Sequence, residues 1–413
     1  MTNLNDINHY MGLAKEVFLA TGAKIRKNLH DLFPEIMILL LVLRRKNFTQ
    51  MAKYGRHNEQ TYRNAFKKGI DWCAYNARLI RKLFDVEKDL LAVAIDQSFI
   101  RKAGKKTYGI GNYWSGCAQA VKHGCEITLL AIVNATRKDA MSFMAIQTPG
   151  KADGRKMSIT DFYIEQVKKY SKRLQRITHN MVGDAAFSTK HFTDSMVDLG
   201  FTFISRLRKD TTVRYLYTGE KTGKRGRPKE YDGSIDFKNP DLSRMQKIES
   251  LSGGDGGEYY TLIANVKCLK RNVRLVVWYP KGIAQTGDEG YRLYYSTDQN
   301  MSGEDTMAIY HARFQEEYLF RDGKQFTGLQ DCQARSKRKL HFAYNASLAA
   351  INTAKVAMAR DDKYQGMSLA AYSMLIHNMF IYQRIIDVSG IELDKDKNEL
   401  ILKDMWALSK ATA

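Results

Sequence analysis

Residues Tyr310–Lys324 read YHARFQEEYLFRDGK. The spacing predicts a helix, within residues 302–324, in which Tyr310, Arg313, Glu317 and Lys324 recur at intervals of three, four and seven. At about 3.6 residues per turn those intervals return to one face. That face carries a phenol, a guanidinium, a carboxylate and an ammonium, while Phe314, Tyr318 and Leu319 supply bulk for packing elsewhere. Alone, such a stripe reads as a solvated helix face with an Arg313–Glu317 pair. Two further stretches change that reading. The apolar runs LLAVAIDQSF and HNMVGDAAFS end in Asp96 and Asp184.

The chain has 413 residues and a formal net charge of +21. The length exceeds one ordinary domain, so two or three modules on a large core are expected. The charge favours a polyanionic partner, nucleic acid ahead of an acidic membrane surface. Cys73, Cys117, Cys125, Cys268 and Cys332 form no CxxC, which argues against a structural zinc site and suits a reducing cytosol. The longest apolar run, Ile36–Leu43, is far short of the roughly 20 residues that span a bilayer. A soluble, cytoplasmic protein is expected.

Residues 1–88 read as a helical DNA-binding domain. The segments FTQMAKY and EQTYRNAFKKGI, around a Gly55-Arg56-His57-Asn58 break, fit a helix-turn-helix with Asn58 as N-cap. Tyr62, Phe66 and Ile70 then face inward, and Gln60, Arg63, Asn64 and Lys67 outward, where such side chains read bases and phosphates. An ordinary helical hairpin with a polar face is the alternative.

Residues 89–209 carry three strands, a helix with a basic face (Lys168, Lys169, Lys172, Arg173, Arg176), a strand, a helix and a strand. The expected fold is α/β, a mixed sheet flanked by helices, with both aspartates at strand ends where ligand sites collect. Residues 210–298 alternate as strands between glycine-rich turns and read as a β-rich insertion. Inside it, Arg225 and Arg227 belong to an RGRP peptide of the kind that follows the minor groove, or to a solvated loop. Residues 299–345 complete the core, and residues 346–413 form a helical C-terminal region. The basic run Arg335–Lys339 is placed on phosphates.

Each aspartate alone is more often a turn or capping residue. Together, Asp96, Asp184 and Glu317 are what a pair of divalent, oxygen-loving ions requires. Two Mg²⁺ ions about 4 Å apart suit an in-line phosphoryl transfer, with Asp96 shared, Asp184 completing one site and Glu317 the other. Arg313 and Lys324 would hold phosphates of the strand being cut, and Tyr310 would orient one.

These residues resemble insertion-sequence DDE transposases with an RNase H-like catalytic core. The subgroup signature is Tyr, two residues, Arg, three residues, Glu, six residues, Lys, and Tyr310, Arg313, Glu317 and Lys324 satisfy every spacing. In that family the first aspartate closes the first strand, as Asp96 does, and the second opens a motif ending in an aromatic, matched by Asp184–Phe187. Glu316 rivals Glu317 in type but not in spacing. The 133-residue gap between Asp184 and Glu317 matches the family's β-rich insertion, and the likeness covers roughly Leu90 to Phe342.

The resemblance implies a cut-and-paste enzyme using Mg²⁺, with Mn²⁺ able to substitute. It would nick the terminal inverted repeats, form a hairpin, reopen it and transfer the strand into target DNA, acting as a homodimer. A bacterial, nucleoid-associated setting is implied, as is an aromatic that holds a flipped base, for which Trp278, Tyr294 and Tyr295 are candidates. The competing expectations are a non-catalytic, transposase-derived DNA-binding protein and another RNase H-like nuclease.

Overall fold

The apolar run from Leu91 to Ile95 is 3% exposed or less at every residue because strands cover both of its sides and helices both of its faces. In the computed structural model, residues 5–22, 27–220, 228–253, 256–280, 282, 290–391 and 394–410 are described. The chain opens with helices α1 (Asn5–Leu19), α2 (Asn28–Val42), α3 (Phe48–Tyr54), α4 (Glu59–Ala65) and α5 (Trp72–Leu83). Strands β1 (Leu91–Arg101), β2 (Gly111–Ser115), β3 (Ala120–Asn134) and β4 (Asp139–Gln147) follow. Next come α6 (Ile159–Leu174), β5 (Asn180–Gly183), α7 (Lys190–Asp198) and β6 (Thr202–Leu207).

Strands β4, β3, β1, β5 and β6 lie side by side in that order. The pairs β4–β3 and β3–β1 are antiparallel, and β1–β5 and β5–β6 are parallel. This is an RNase H-like sheet. It holds one strand more than the expected order, since DAMSFMAIQ is β4. That run has no period-2 pattern because it is buried throughout, so local periodicity gave no strand signal.

The β-rich block comprises β7 (Val213–Leu216), β8 (Tyr231–Ser234), β9 (Gln246–Lys247), β10 (Glu258–Val266), β11 (Arg271–Tyr279) and β12 (Arg292–Ser296). It is not a detached sheet. Strand β12 pairs antiparallel with β6, from Leu293↔Leu207 to Ser296↔Ile204, so the block continues the core sheet.

The remainder is helical: α8 (Gly303–Ala312), α9 (Phe314–Gln325), α10 (Lys337–Ala359), α11 (Leu369–Ser389) and α12 (Lys395–Lys410). Both ends of the chain share one core. Tyr10 Oη donates to the Ala350 carbonyl (3.1 Å), Tyr75 Oη meets Thr353 Oγ1 (2.9 Å) and Ser373 Oγ donates to the Leu41 carbonyl (3.0 Å). Among the described residues no helix is long and apolar enough to cross a membrane.

Helix α10 also solves an edge problem. Strand β4 would leave backbone groups unpaired on its outer side, at a cost of about 1–3 kcal/mol each. Asn345 accepts from Ala145 N and donates to Ala145 O (2.9 Å each), and Asn352 does the same to Ser142 N (3.0 Å) and O (2.8 Å). Between them, the carbonyl of Phe143 accepts from Asn76 Nδ2 (3.0 Å) at the bulge where β3 and β4 shift register. Asn352→Leu removes two of these bonds and the partner of Asn76 Oδ1, so it should cost about 3 kcal/mol. Urea unfolding of the full chain measures it, and a loss under about 0.5 kcal/mol would mean that water takes the edge instead.

Candidate active site

Asp96 closes the apolar run but not the strand: β1 continues to Arg101. What ends near Asp96 is the parallel ladder, whose last pair is Ile95↔Gly183. Asp96 and Asp184 are therefore the next residues on adjacent parallel strands. Beyond Gly183 the chain turns. The Asp184 carboxylate accepts from Ala186 N (2.9 Å) and caps a single helical turn, Ala185–Phe187. Phe187 is buried against Tyr163 and Phe192, and Ser205 Oγ donates to the Asp184 carbonyl (2.8 Å), so the turn is anchored at both ends.

The stretch Tyr310–Lys324 is not one unbroken helix. Tyr310 ends up on α8, and Arg313 is the junction residue that closes α8 and opens α9, with φ −50° and ψ −38°. The backbone stays in the helical region, so the expected face survives the change of hydrogen-bond partners. Leu319 and Phe320 are buried, while Phe314 (47% exposed) and Tyr318 (38% exposed) pack edge-on against each other on the outer side. Gly323 is where α9 meets its neighbours: a Cβ there would lie 3.2 Å from Leu329 Cδ2 and 3.3 Å from Leu348 Cδ2.

This packing carries Arg313 to Asp96, just past the end of the β1–β5 ladder. Its guanidinium is 3.0 Å from Glu317 Oε1 and 3.9 Å from Asp96 Oδ2, and its side chain is 13% exposed. A single, largely covered cation thus spans two of the three carboxylates. Lys324, about two turns beyond Glu317, donates to Ser98 Oγ (2.7 Å). Ser98 lies two residues past Asp96 on the same face of β1, a placement that the period of a strand makes legible. Tyr310 packs on Tyr294, with ring centroids 4.6 Å apart.

The electrostatics are those of a crowded acidic site. Burial, with Asp184 and Glu317 nearby, raises the Asp96 carboxyl to about 6, while the Gln97 amide and Arg313 oppose the shift. Burial also lowers Lys324. Glu316, the rival of Glu317, is fully buried, and among the described residues neither of its oxygens has a partner at full hydrogen-bond geometry. Burial, with Asp96 and Glu317 close by, holds its carboxyl well above the usual range despite Arg313. Glu317, with a side chain 41% exposed, is the one open to solvent.

Whether these residues suit a hard divalent cation has two answers. The donors are all carboxylate oxygens, and mutual repulsion at Asp96 is the condition a cation relieves. Their spacing is wider: among the described residues no group of three or more His, Cys, Asp or Glu is close enough to hold an ion. Asp96, Asp184 and Glu317 are electrostatically coupled but not converged, with Arg313 inserted between two of them.

The other expected contacts scatter. Asn58 caps α4 by accepting from Thr61 N (2.9 Å), and Tyr62 and Phe66 are buried as predicted. Gln60, Asn64 and Lys67 are exposed, with Lys67 just past the end of α4. Arg63 is committed in part to Glu59 and lies over the Phe48 ring. Arg225 and Arg227 lie outside the described residues. Of the three aromatics, Tyr295 and Tyr294 are core, and Trp278 stacks on Tyr259 with the Arg292 guanidinium over the Trp278 ring.

Comparison with curated proteins finds no match. A family model described as "Transposase DDE domain" matches residues 87–353, from just before β1 to within α10. That span contains Asp96, Asp184 and Glu317 and the β-rich block between them. The family implies DNA as substrate and, in general, metal-dependent DNA cleavage and strand transfer. The chain belongs to the DDE transposase family.

Proposed function

We propose that this protein is a cut-and-paste transposase that binds the terminal inverted repeats of its own element as a homodimer, cleaves them with Mg²⁺, passes through a hairpin and transfers the freed strand to target DNA. It would act in the cytoplasm, on the nucleoid of a bacterial host. The observation that carries this reading is the end of the parallel ladder: Asp96 and Asp184 follow its last pair on adjacent strands, and Arg313 reaches from Asp96 to Glu317 there.

Asp96, Asp184 and Glu317 are the residues that would hold the ions. Bound there, divalent ions supply Lewis-acid activation of the attacking oxygen and charge stabilisation at the leaving one. The chain's own groups do the rest. Arg313 offsets carboxylate repulsion while the site is empty of substrate, and swings the balance of charge toward a phosphate when one arrives. Lys324, half-buried beside Ser98, adds a fixed positive charge along the same strand. Tyr310, held by Tyr294, presents its hydroxyl at the rim.

End-labelled terminal-repeat duplexes, incubated with the purified protein and Mg²⁺ or Mn²⁺ beside Glu317→Gln, test the reading on native and denaturing gels. A metal-dependent nick that matures to a hairpin, absent in the variant, is expected. Tight binding without any cut, across metals and paired ends, would move the protein to the non-catalytic DNA-binding class. Lys324→Ala should weaken the complex and lower its salt slope by about one; an unchanged slope would take Lys324 off the phosphate.

A further inference from the structure

Past Arg101, the chain leaves β1 and returns as the β2–β3 ribbon. Residues 120–123 of β3 pair with β2 and lie beyond the end of the β1 ladder, whose last pair is Arg101↔Gly124. At the outer end of this ribbon Trp114 and Val121 stand directly opposite each other, 60% and 62% exposed. A cross-strand aromatic–aliphatic pair is ordinarily placed where its area can be buried. Here it contributes little to the chain's own core.

The ribbon's charge is as one-sided as its tip is apolar. From Arg101 to Cys125 the sequence holds Arg101, Lys102, Lys105, Lys106 and Lys122 and no carboxylate. At its root, Arg101 and Lys102 join Arg45, Lys46 and Arg335 around a polar cleft of about 610 Å³ in which Asp331 is the acidic member. Burial lowers the Lys46 ammonium to about 8, with Asp331 opposing.

The ribbon also keeps company with the active site. It grows from the strand that carries Asp96 and Ser98. Cys117, in the ribbon's turn, lies near Lys324. A basic, carboxylate-free ribbon with a solvent-facing indole at its tip matches the two demands of a nucleic-acid strand. Backbone phosphates take the cations, and bases offer a π-face to an aromatic.

We propose that the β2–β3 ribbon is a DNA clamp: Trp114 stacks on a nucleobase of the DNA lying across the catalytic edge, and the cleft at the ribbon's root receives backbone phosphate. The inference rests on the transposase reading above and adds to it a base-contacting residue outside the β-rich block. Phosphate contact fixes the register of the duplex, and Trp114 acts on the stack itself.

The test uses the full chain in EDTA, so that no cutting intervenes, with terminal-repeat duplexes carrying fluorescent aminopurine at successive positions around the cut. Wild type is compared with Trp114→Phe and Trp114→Ala; the exposure of Trp114 makes both compatible with folding. The wild type should quench aminopurine at one or two adjacent positions. Trp114→Phe should bind within about threefold of wild type, because a phenyl ring still stacks. Trp114→Ala should lose the quench and about ten- to a hundredfold in affinity, with the salt slope unchanged. Equal weakening by Phe and Ala, or wild-type binding and quenching by Trp114→Ala, would overturn the proposal. So would an effect confined to self-association, which would assign the tip to a second copy of the chain. A wild type that cuts ends without any dependence on Trp114 defeats this inference alone; a wild type that neither binds nor cuts the repeats defeats the transposase reading with it.

Discussion

Asp96→Asn should reduce end cleavage by a factor on the order of 10³ or more while leaving end binding within about threefold. The substitution keeps the volume and the oxygen that accepts from Gln97 N, and removes the charge at the centre of the carboxylate group. Gel assays on labelled ends separate the two effects. Retained cutting would remove Asp96 from the chemistry. The same variant should be more stable than the wild type at neutral pH. Asp96 ionises near 6 in the folded protein against 3.8 ordinarily. A raised carboxyl pKa means that, between those values, the folded state holds the proton and the unfolded state does not. Stability therefore falls as pH rises through that window, by about 3 kcal/mol from this group, and stays reduced above it. Urea unfolding from pH 4 to 7 should show that loss in the wild type and not in Asp96→Asn. Added Mg²⁺ should recover stability in the wild type above pH 6, because a bound cation favours the ionised carboxylate. An identical pH profile for the two proteins would mean that Asp96 titrates normally.

Gly55→Ala should unseat the turn between α3 and α4. A Cβ at Gly55 would lie 2.0 Å from Tyr62 Oη, 2.6 Å from Glu35 Oε1 and 2.8 Å from the Met51 carbonyl. These are the parts of one buried knot. The Glu35 carboxylate, 7% exposed on α2, accepts from Tyr62 Oη (2.6 Å) and from the Arg56 amide, with His57 Nδ1 at 2.7 Å. Tyr62 is fully buried and cannot swing away without opening a cavity. The cost should be about 3 kcal/mol, and α4, with exposed Gln60 and Asn64, should lose its fixed placement. Denaturation of the variant measures the first effect. Competition binding between terminal-repeat and unrelated duplexes measures the second, as a fall in the preference for the repeat. Unchanged preference with lowered stability would leave the knot structural and return α3–α4 to an ordinary helical hairpin.

Much of the candidate site was legible because its signals are local. The intervals among Tyr310, Arg313, Glu317 and Lys324 depend only on the helical repeat, and they survive the junction at Arg313 because that residue keeps helical angles. Asp96 and Asp184 stand out because each follows a run too apolar to be anything but buried strand. Asn58 as a cap and Tyr62 as an inward residue follow from a single turn of helix.

The remainder depended on contacts that no local window contains. The adjacency of Asp96 and Asp184 comes from the parallel register Ile95↔Gly183, which a crossover through α6 brings about. Strand β4 is stabilised by Asn345 and Asn352, about two hundred residues away in sequence. The β-rich block continues the core sheet through the pairing of β12 with β6, and Arg271 of β11 pairs with Asp194 of α7. The reach of Arg313 to Asp96, and the exposure of Trp114 at the end of its ribbon, likewise depend on distant segments. Backbone periodicity and charge are written residue by residue, whereas register, burial and the partner of an ion are decided by which distant segments close on each other. The sequence by itself therefore determined which residues are candidates for the site, and only the tertiary structure decided which of them meet.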